Sequence, residues 1–137
     1  NNQTIGIYGD GKNQRDWIFV SDHVNAIYKI LISGKIGETY NVGTGQSLSN
    51  LKFVNLIYKI FEKILNKKIK KKITFTKDRP GHDRKYLINP KKALKLGWKR
   101  KYKLNDALEI TIRWYLKKEN LNYFKVKKYN FLRLGLK

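Results

Sequence analysis

The stretch Asp78-Arg79-Pro80-Gly81-His82-Asp83-Arg84 packs five ionisable residues around a Pro-Gly pair. Pro80 fixes φ near −65° and Gly81 tolerates positive φ, so the backbone is expected to turn sharply here. Such a turn gathers Arg79, His82 and Arg84. Arginine offers a planar fork of donors matched to phosphate oxygens, and histidine can add one more. One reading is therefore an anion-binding loop for a phosphate ester or diphosphate. The other is a solvated surface loop whose arginines pair with Asp78 and Asp83. Most charged loops are simply wet, so the charges by themselves favour the second.

Other spacings suggest chemistry and fail on inspection. Gly6-Ile7-Tyr8-Gly9-Asp10-Gly11 has its glycines in the wrong order for a dinucleotide fingerprint, and no helix is expected after it to receive a pyrophosphate. Tyr8/Lys12 and Tyr123/Lys127 have the Tyr-x-x-x-Lys spacing of short-chain dehydrogenases. That pair must share a helix face, whereas Tyr8 precedes a Gly-Asp-Gly turn and Tyr123 lies in a weakly patterned tail. No nucleophile elbow, metal-spaced His pair or P-loop is present. These residues hold no catalytic core of their own.

The elements expected to position the loop follow from periodicity. Thr4 to Tyr8 and Arg15 to Val20 read as strands, separated by the turn signal Gly9-Asp10-Gly11. Ser21 and Asp22 are N-cap residues for a helix ending at Gly34. Glu38 to Val42 reads as a strand. Ser49 caps a second helix whose Leu51, Val54, Ile57, Tyr58, Phe61, Ile64 and Leu65 recur at helical spacing. Ile73 to Thr76 alternates as a strand and leads into the charged loop. Tyr86 to Ile88 is a short strand, Asn89 and Pro90 start a helix to Gly97, and Leu104 to Lys118 is a helix capped by Asn105. Beyond Asn120 the pattern decays into a basic, aromatic tail.

One domain of ordinary core size fits 137 residues with 41% hydrophobic content and 13% aromatics. No apolar run approaches bilayer length and no signal-peptide pattern opens the chain. Cysteine is absent, which excludes disulfides and thiolate metal sites and is compatible with a cytoplasmic location. Methionine is absent too, which suggests a portion of a longer polypeptide. The net charge of +21 is mostly lysine, scattered and accompanied by abundant Asn and Ile. AT-rich codon usage produces that combination without selection for nucleic-acid binding, so nucleic acid is not the expected partner.

The run Ile7 to His23 (IYGDGKNQRDWIFVSDH) and the block Gly37-Glu38-Thr39-Tyr40-Asn41-Val42-Gly43 resemble the C-terminal part of extended short-chain dehydrogenase/reductases. Asp78 to Tyr86, followed by Gly97-Trp98-Lys99, is similar in particular to the dTDP-glucose 4,6-dehydratases. The resemblance runs from about Gly6 to Lys118. It implies an α/β fold, a small sheet with flanking helices, forming the substrate-binding part of such an enzyme with its Rossmann half absent. Residues 1–119 would bind the nucleotide-sugar and residues 120–137 would be a basic tail. It implies that NAD and the catalytic Tyr, Lys and carboxylates belong to the N-terminal half, and that the full-length enzyme is a homodimer. Gly6, Ile7 and Tyr8 would lie against thymine and deoxyribose, Arg15 would bind the diphosphate, and Asn50 would contact substrate. Asp78, Arg79, Pro80, Gly81 and His82 would close over the diphosphate and deoxyribose. The activity implied is conversion of dTDP-glucose to dTDP-4-keto-6-deoxyglucose, with none from this portion alone. A UDP-sugar epimerase or decarboxylase, and a basic nucleic-acid-binding fragment, are the alternatives.

Overall fold

The computed structural model describes residues 4–121. β1 (Ile5–Tyr8) pairs in parallel with β4 (Ile73–Thr76), in the register Ile5 opposite Ile73 to Tyr8 opposite Thr76. β2 (Gln14–Asp16) pairs antiparallel with β3 (Ser47–Ser49). Between these strands run α1 (Val20–Ser33) and α2 (Asn50–Leu65). α3 (Lys91–Lys95), α4 (Leu104–Leu116) and α5 (Lys118–Leu121) follow β4. The fold is mixed α/β as expected, but the described strands form two two-stranded sheets rather than one small sheet.

The division between the sheets arises at the glycine turn. Gly9 and Gly11 take positive φ of 56° and 70°, and the Gly11 amide donates to the Tyr8 carbonyl at 3.2 Å. The chain leaving β1 is thus redirected before β2 begins. The turn's backbone then meets the start of α2: the Asn13 and Gly11 carbonyls accept from the Asn50 and Leu51 amides at 2.9 and 3.0 Å.

Helix ends show where tertiary contacts overrule local signals. Ser49 caps α2 as expected, its side chain accepting from the Lys52 amide at 3.3 Å. Asn66 closes that helix in the left-handed region at φ 49°, with Lys67 N–H reaching back to the Glu62 carbonyl. Asn89 accepts from the Lys91 amide at the start of α3. Ser21 and Asp22, by contrast, lie inside α1, whose N-cap position is Phe19. Asp22 is fully buried and its carboxylate accepts from the Lys101 and Tyr102 amides at 2.9 and 3.1 Å. The residue suited to capping its own helix instead satisfies a loop across the core. Lys103, not Asn105, occupies the N-cap position of α4, and the helix stops at Leu116.

Three expected strands shorten or vanish. The one over Arg15 to Val20 ends at Asp16, whose carboxylate draws in Thr44 N–H, Thr44 Oγ1 and Gly45 N–H at 2.8, 2.6 and 2.9 Å. Trp17 then stacks flat on Phe53, with ring centroids 3.7 Å apart. Glu38 to Val42 pairs with no described strand, while Glu38 and Tyr40 instead engage Lys92. Tyr86 to Ile88 is reduced to a single bridge between Lys85 and Gln14.

The core joins Ala26 of α1, Ala93 of α3 and Trp98, with Ile18 and Val42 packed against them. The two alanines let the helices approach closely, and Trp98 Nε1–H donates to the Asp22 carbonyl at 3.1 Å. Ile60, Ala107 and Ile112 are buried where α2 meets α4. The opposite side of α1 presents Val20, Val24, Ile27, Tyr28 and Leu31, each more than half exposed. Among the described residues no helix is long and apolar enough to cross a membrane, and no group of ligating side chains could hold a metal ion.

Candidate functional site

The charged loop lies on the glycine turn between β1 and β2. Its tip, Arg79-Pro80-Gly81-His82, closes with His82 N–H donating to the Arg79 carbonyl at 3.3 Å, and Gly81 has φ 67°. Proline followed by a left-handed glycine is the arrangement a type II turn requires. At the base, Asp78 lies over Gly9, where an added Cβ would come within 2.7 Å of Asp78 Oδ2. Further along, Gln14 N–H donates to the Arg84 carbonyl and Tyr86 N–H donates to the Gln14 carbonyl, at 2.8 and 3.0 Å. Loop and turn form one unit.

Side chains knit that unit together. Arg84 forms a fork onto Asp10, with Nη1 to Oδ1 at 3.1 Å and Nη2 to Oδ2 at 3.3 Å. Arg84 Nη1 also donates to Asn13 Oδ1 at 3.2 Å. Asn13 is buried, and its Nδ2 lies 2.7 Å from His82 Nδ1. His82 Nδ1 lies 2.6 Å from Asp78 Oδ1, and Nε2 lies 2.7 Å from Arg15 Nη2. Tyr8 meets the His82 ring edge-on, centroids 6.3 Å apart.

Arg15 stands at the centre of this arrangement. Its Nη1 donates to the carbonyls of Gln14 and Asp83 at 2.7 and 3.0 Å, and its Cζ sits 4.2 Å from the Tyr86 ring centre. Every one of these partners is neutral or a π face. Among the described residues no carboxylate pairs with Arg15, whereas Asp10 neutralises Arg84 and Glu109 neutralises Arg113. Two of its five N–H groups, Nε–H and one on Nη2, make no hydrogen bond to a described residue. A half-buried guanidinium held by dipoles and an aromatic face keeps its charge available for an anion.

The expected site residues thus fall into three groups. Tyr8, Arg15, Asp78 and His82 come together. Arg79, Pro80 and Gly81 form the exposed tip, and the Arg79 guanidinium pairs with no described carboxylate. Gly6, Ile7 and Asn50 lie at the edge. Ile7 is buried in the core, so only its backbone could face a ligand, and Gly6 is opposite Thr74 in the ladder. The Asn50, Leu51 and Lys52 amides are already spent on Asn13, Gly11 and Ser49, so the start of α2 offers them to no anion. The pairing of arginines with Asp78 and Asp83 does not form: Asp78 takes His82, and Asp83 accepts from Tyr86 Oη at 2.5 Å.

Asp10, Asn13 and Tyr86 are not among the expected site residues, and Arg84, expected as a donor of the anion-binding loop, is taken up by Asp10 instead. Asp10 and Arg84 are 74 positions apart, and only their opposite charges hinted at a pair. Tyr86 was read as a strand residue; the Arg15 cation over its ring carries no local signal.

Several carboxylates are stabilised in their charged form. Asp10 is lowered to about 2, first by the hydrogen bond from Arg84 and then by the Lys12 amide. Asp78 is lowered chiefly by His82, and Glu109 chiefly by Arg113 and then Lys63. Groups with folded values below their unfolded ones contribute stability that is complete above the unfolded values, 3.8 for Asp and 4.5 for Glu. That contribution is lost as pH falls through the lower folded values. Thermal melts between about pH 5 and pH 2 should show stability falling with acid, and Asp10→Asn should flatten that slope.

Gly9→Ala should disturb the unit from its base. It places a side chain at φ 56° and drives a methyl group into Asp78. Left-handed strain alone costs about 1–2 kcal/mol, and displacement of Asp78 adds to it. Chemical denaturation should report the loss, with an unchanged midpoint arguing against the contact.

The chain belongs to the family described as GDP-mannose 4,6 dehydratase, whose model matches residues 1–111. Within that family the similarity is to dTDP-glucose 4,6-dehydratases, as the charged loop suggested. The Xanthomonas campestris pv. campestris enzyme is 40% identical over 119 residues, covering 83% of this chain and 34% of its own length. Among solved structures, the Bacillus anthracis dTDP-glucose 4,6-dehydratase in complex with NAD superposes with a TM-score of 0.77 at 36% identity. That match covers 90% of this chain and 37% of the other. The Streptomyces venezuelae enzyme, with NAD and TYD bound, gives a TM-score of 0.75 at 32% identity, covering 89% and 36%. The chain spans about a third of the length of the relatives it matches.

Proposed function

We propose that this chain is the nucleotide-sugar-gripping portion of a dTDP-glucose 4,6-dehydratase, the hydro-lyase that converts dTDP-glucose to dTDP-4-keto-6-deoxyglucose and water. Arg15 carries the reading: a guanidinium without a carboxylate, held by neutral partners, with two N–H groups left for a diphosphate. Tyr8 supplies an aromatic face for the base beside it, with the backbone of Gly6 and Ile7 behind. Asn50 borders the sugar. The tip from Arg79 to Gly81 closes over the diphosphate, with Asp78 and His82 at its base. Residues 1–119 form the binding unit and residues 120–137 a basic tail; residues 122–137 lie outside the described part.

NAD, bound in the Bacillus anthracis and Streptomyces venezuelae structures, does not fit the described residues. The space left by the missing side chains of Gly9 and Gly11 is filled by Asp78, Ile7 and Leu51, so it is no cradle for a pyrophosphate. The turn also leads into β2 rather than a helix. In this reading NAD and the acid/base groups come from another part of the enzyme, which would also cover the exposed apolar side of α1. The isolated 137 residues should therefore bind dTDP-glucose without converting it. NAD-dependent turnover by the isolated chain, followed by appearance of the 4-keto product, would contradict this assignment.

A second reading has its own observation. Lys59, Lys63, Lys67 and Lys68, with Glu62 and Asn66, line a cleft of about 450 Å³ at the end of α2, where nucleic-acid phosphates could collect, although Lys63 and Lys68 already pair with Glu109 and Glu62. It predicts oligonucleotide affinity that falls steeply with salt. Arg79→Ala separates the two, weakening dTDP-glucose binding in the first and leaving oligonucleotide binding nearly unchanged in the second.

A further inference from the structure

Two of the three polar side-chain contacts of His82, those to Arg15 and Asp78, agree on which of its nitrogens carries hydrogen. A guanidinium only donates, so the nitrogen 2.7 Å from Arg15 Nη2 must offer a lone pair. Nε2 is therefore unprotonated and the hydrogen resides on Nδ1. Nδ1 faces Asp78 Oδ1 at 2.6 Å, an acceptor suited to that hydrogen. The imidazole side chain is only 6% exposed, which leaves water little part in the choice.

Asn13 completes the arrangement. Its Oδ1 accepts from Arg84, which turns its Nδ2 towards His82 and Asp78. Nδ2, also a donor, comes within 2.7 Å of Nδ1. The Nδ1–H tautomer leaves that one contact unsatisfied while satisfying Asp78 and Arg15, whereas the Nε2–H tautomer would satisfy Asn13 alone. Asp78 Oδ1 also accepts from the Arg79 amide at 2.9 Å, so that oxygen is engaged twice from inside the loop. A free carboxylate at this point would repel a diphosphate; one engaged by two internal donors does so less.

We propose that Asp78 and His82 are positioning residues that act through Arg15. Asp78 fixes His82 as the Nδ1–H tautomer, and Nε2 then holds Arg15 Nη2. Together with the two carbonyls and the Tyr86 ring, this locks the guanidinium plane with Nε–H and the remaining Nη2–H directed at one ligand. The ligand's identity as a nucleoside diphosphate rests on the reading of Arg15 above; the tautomer and the locking do not. The opposite tautomer would set Nε2–H against the Arg15 guanidinium and a bare Nδ1 against the Asp78 carboxylate, two repulsive contacts in place of one, and release Arg15.

The chain has only two histidines, His23 and His82, so the ring ¹⁵N resonances are readily assigned. Long-range ¹H–¹⁵N spectra of the 137-residue chain should show His82 protonated at Nδ1 and bare at Nε2, with a sharp, slowly exchanging Arg15 Nε–H signal. Asp78→Asn should scramble the tautomer and broaden the Arg15 signal. His82→Gln, whose carbonyl can accept from Arg15, should retain more of that signal than His82→Leu. Protonation of Nε2 in the unmodified chain would overturn the proposal without any variant. So would an Arg15 signal untouched in Asp78→Asn when the tautomer has changed. Titration with dTDP tests the ligand separately: Asp78→Asn should bind about 10- to 100-fold more weakly, the loss expected for a hydrogen bond to a charged group. Full affinity in a tautomer-scrambled Asp78→Asn overturns the positioning role. Failure of the unmodified chain to bind dTDP removes the nucleotide assignment and leaves the tautomer to stand on its spectra.

Discussion

Arg15→Ala is expected to lower affinity for dTDP by about 2–4 kcal/mol, roughly 30- to 1,000-fold. The size follows from what the substitution removes. Arg15 is the guanidinium whose hydrogen bonds go to two carbonyls and an imidazole, so its charge is not already spent on a carboxylate. Truncation deletes both the charge and the donors that face a diphosphate, and leaves His82 Nε2 without its partner. Arg15→Lys keeps a positive charge but not the planar fork, and should recover only part of the loss. Calorimetric titration with dTDP checks both variants. An Arg15→Ala chain that binds as tightly as the unmodified one would show that the diphosphate is held elsewhere.

Asp22→Ala is expected to be the most damaging single change to stability. Asp22 is fully buried, and its two carboxylate oxygens satisfy the Lys101 and Tyr102 amides on the far side of the Ala26–Ala93–Trp98 core. Alanine leaves both amides unpaired, at about 1–3 kcal/mol each. Because Trp98 bonds to the Asp22 backbone carbonyl, that contact survives and the loss isolates the carboxylate. Asp22→Asn keeps one acceptor but turns an N–H towards the other amide, and should fall between the two. Urea denaturation reads the effect; a change below about 0.5 kcal/mol, the range of ordinary surface substitutions, would contradict the assignment.

These two residues also show what was and was not legible in the sequence. The 3.6-residue period of α2, its Ser49 cap and the Pro80-Gly81 turn were readable because each is set by neighbours in the chain. Asp22 is placed by residues nearly 80 positions away, so its local suitability as a helix cap misled. The strand expected over Glu38 to Val42 has the right alternation, but a strand needs a partner, and no described segment pairs with it. β3 was missed because three residues carry almost no pattern; their pairing with β2 is a matter of tertiary position.

The site divides in the same way. Its residue types were legible, since a Pro-Gly turn rich in arginine and histidine suits an anion. The connections were not. Nothing near Arg84 in the sequence points to Asp10, and nothing near His82 reveals that its Nε2 meets Arg15 rather than water. The expected Arg–Asp pairs within the loop gave way to pairs across two turns. That exchange leaves Arg15 without a carboxylate, which composition alone could not show.

The most direct measurement is a titration of the 137-residue chain with dTDP-glucose and with UDP-glucose, followed residue by residue in ¹H–¹⁵N spectra. Saturable shifts centred on Arg15, Tyr8, Asn50 and the Arg79–His82 turn are expected, with tighter binding of dTDP-glucose. Shifts that gather instead on Lys59, Lys63, Lys67 and Lys68, or an Arg15 signal unmoved at saturation, would contradict that expectation.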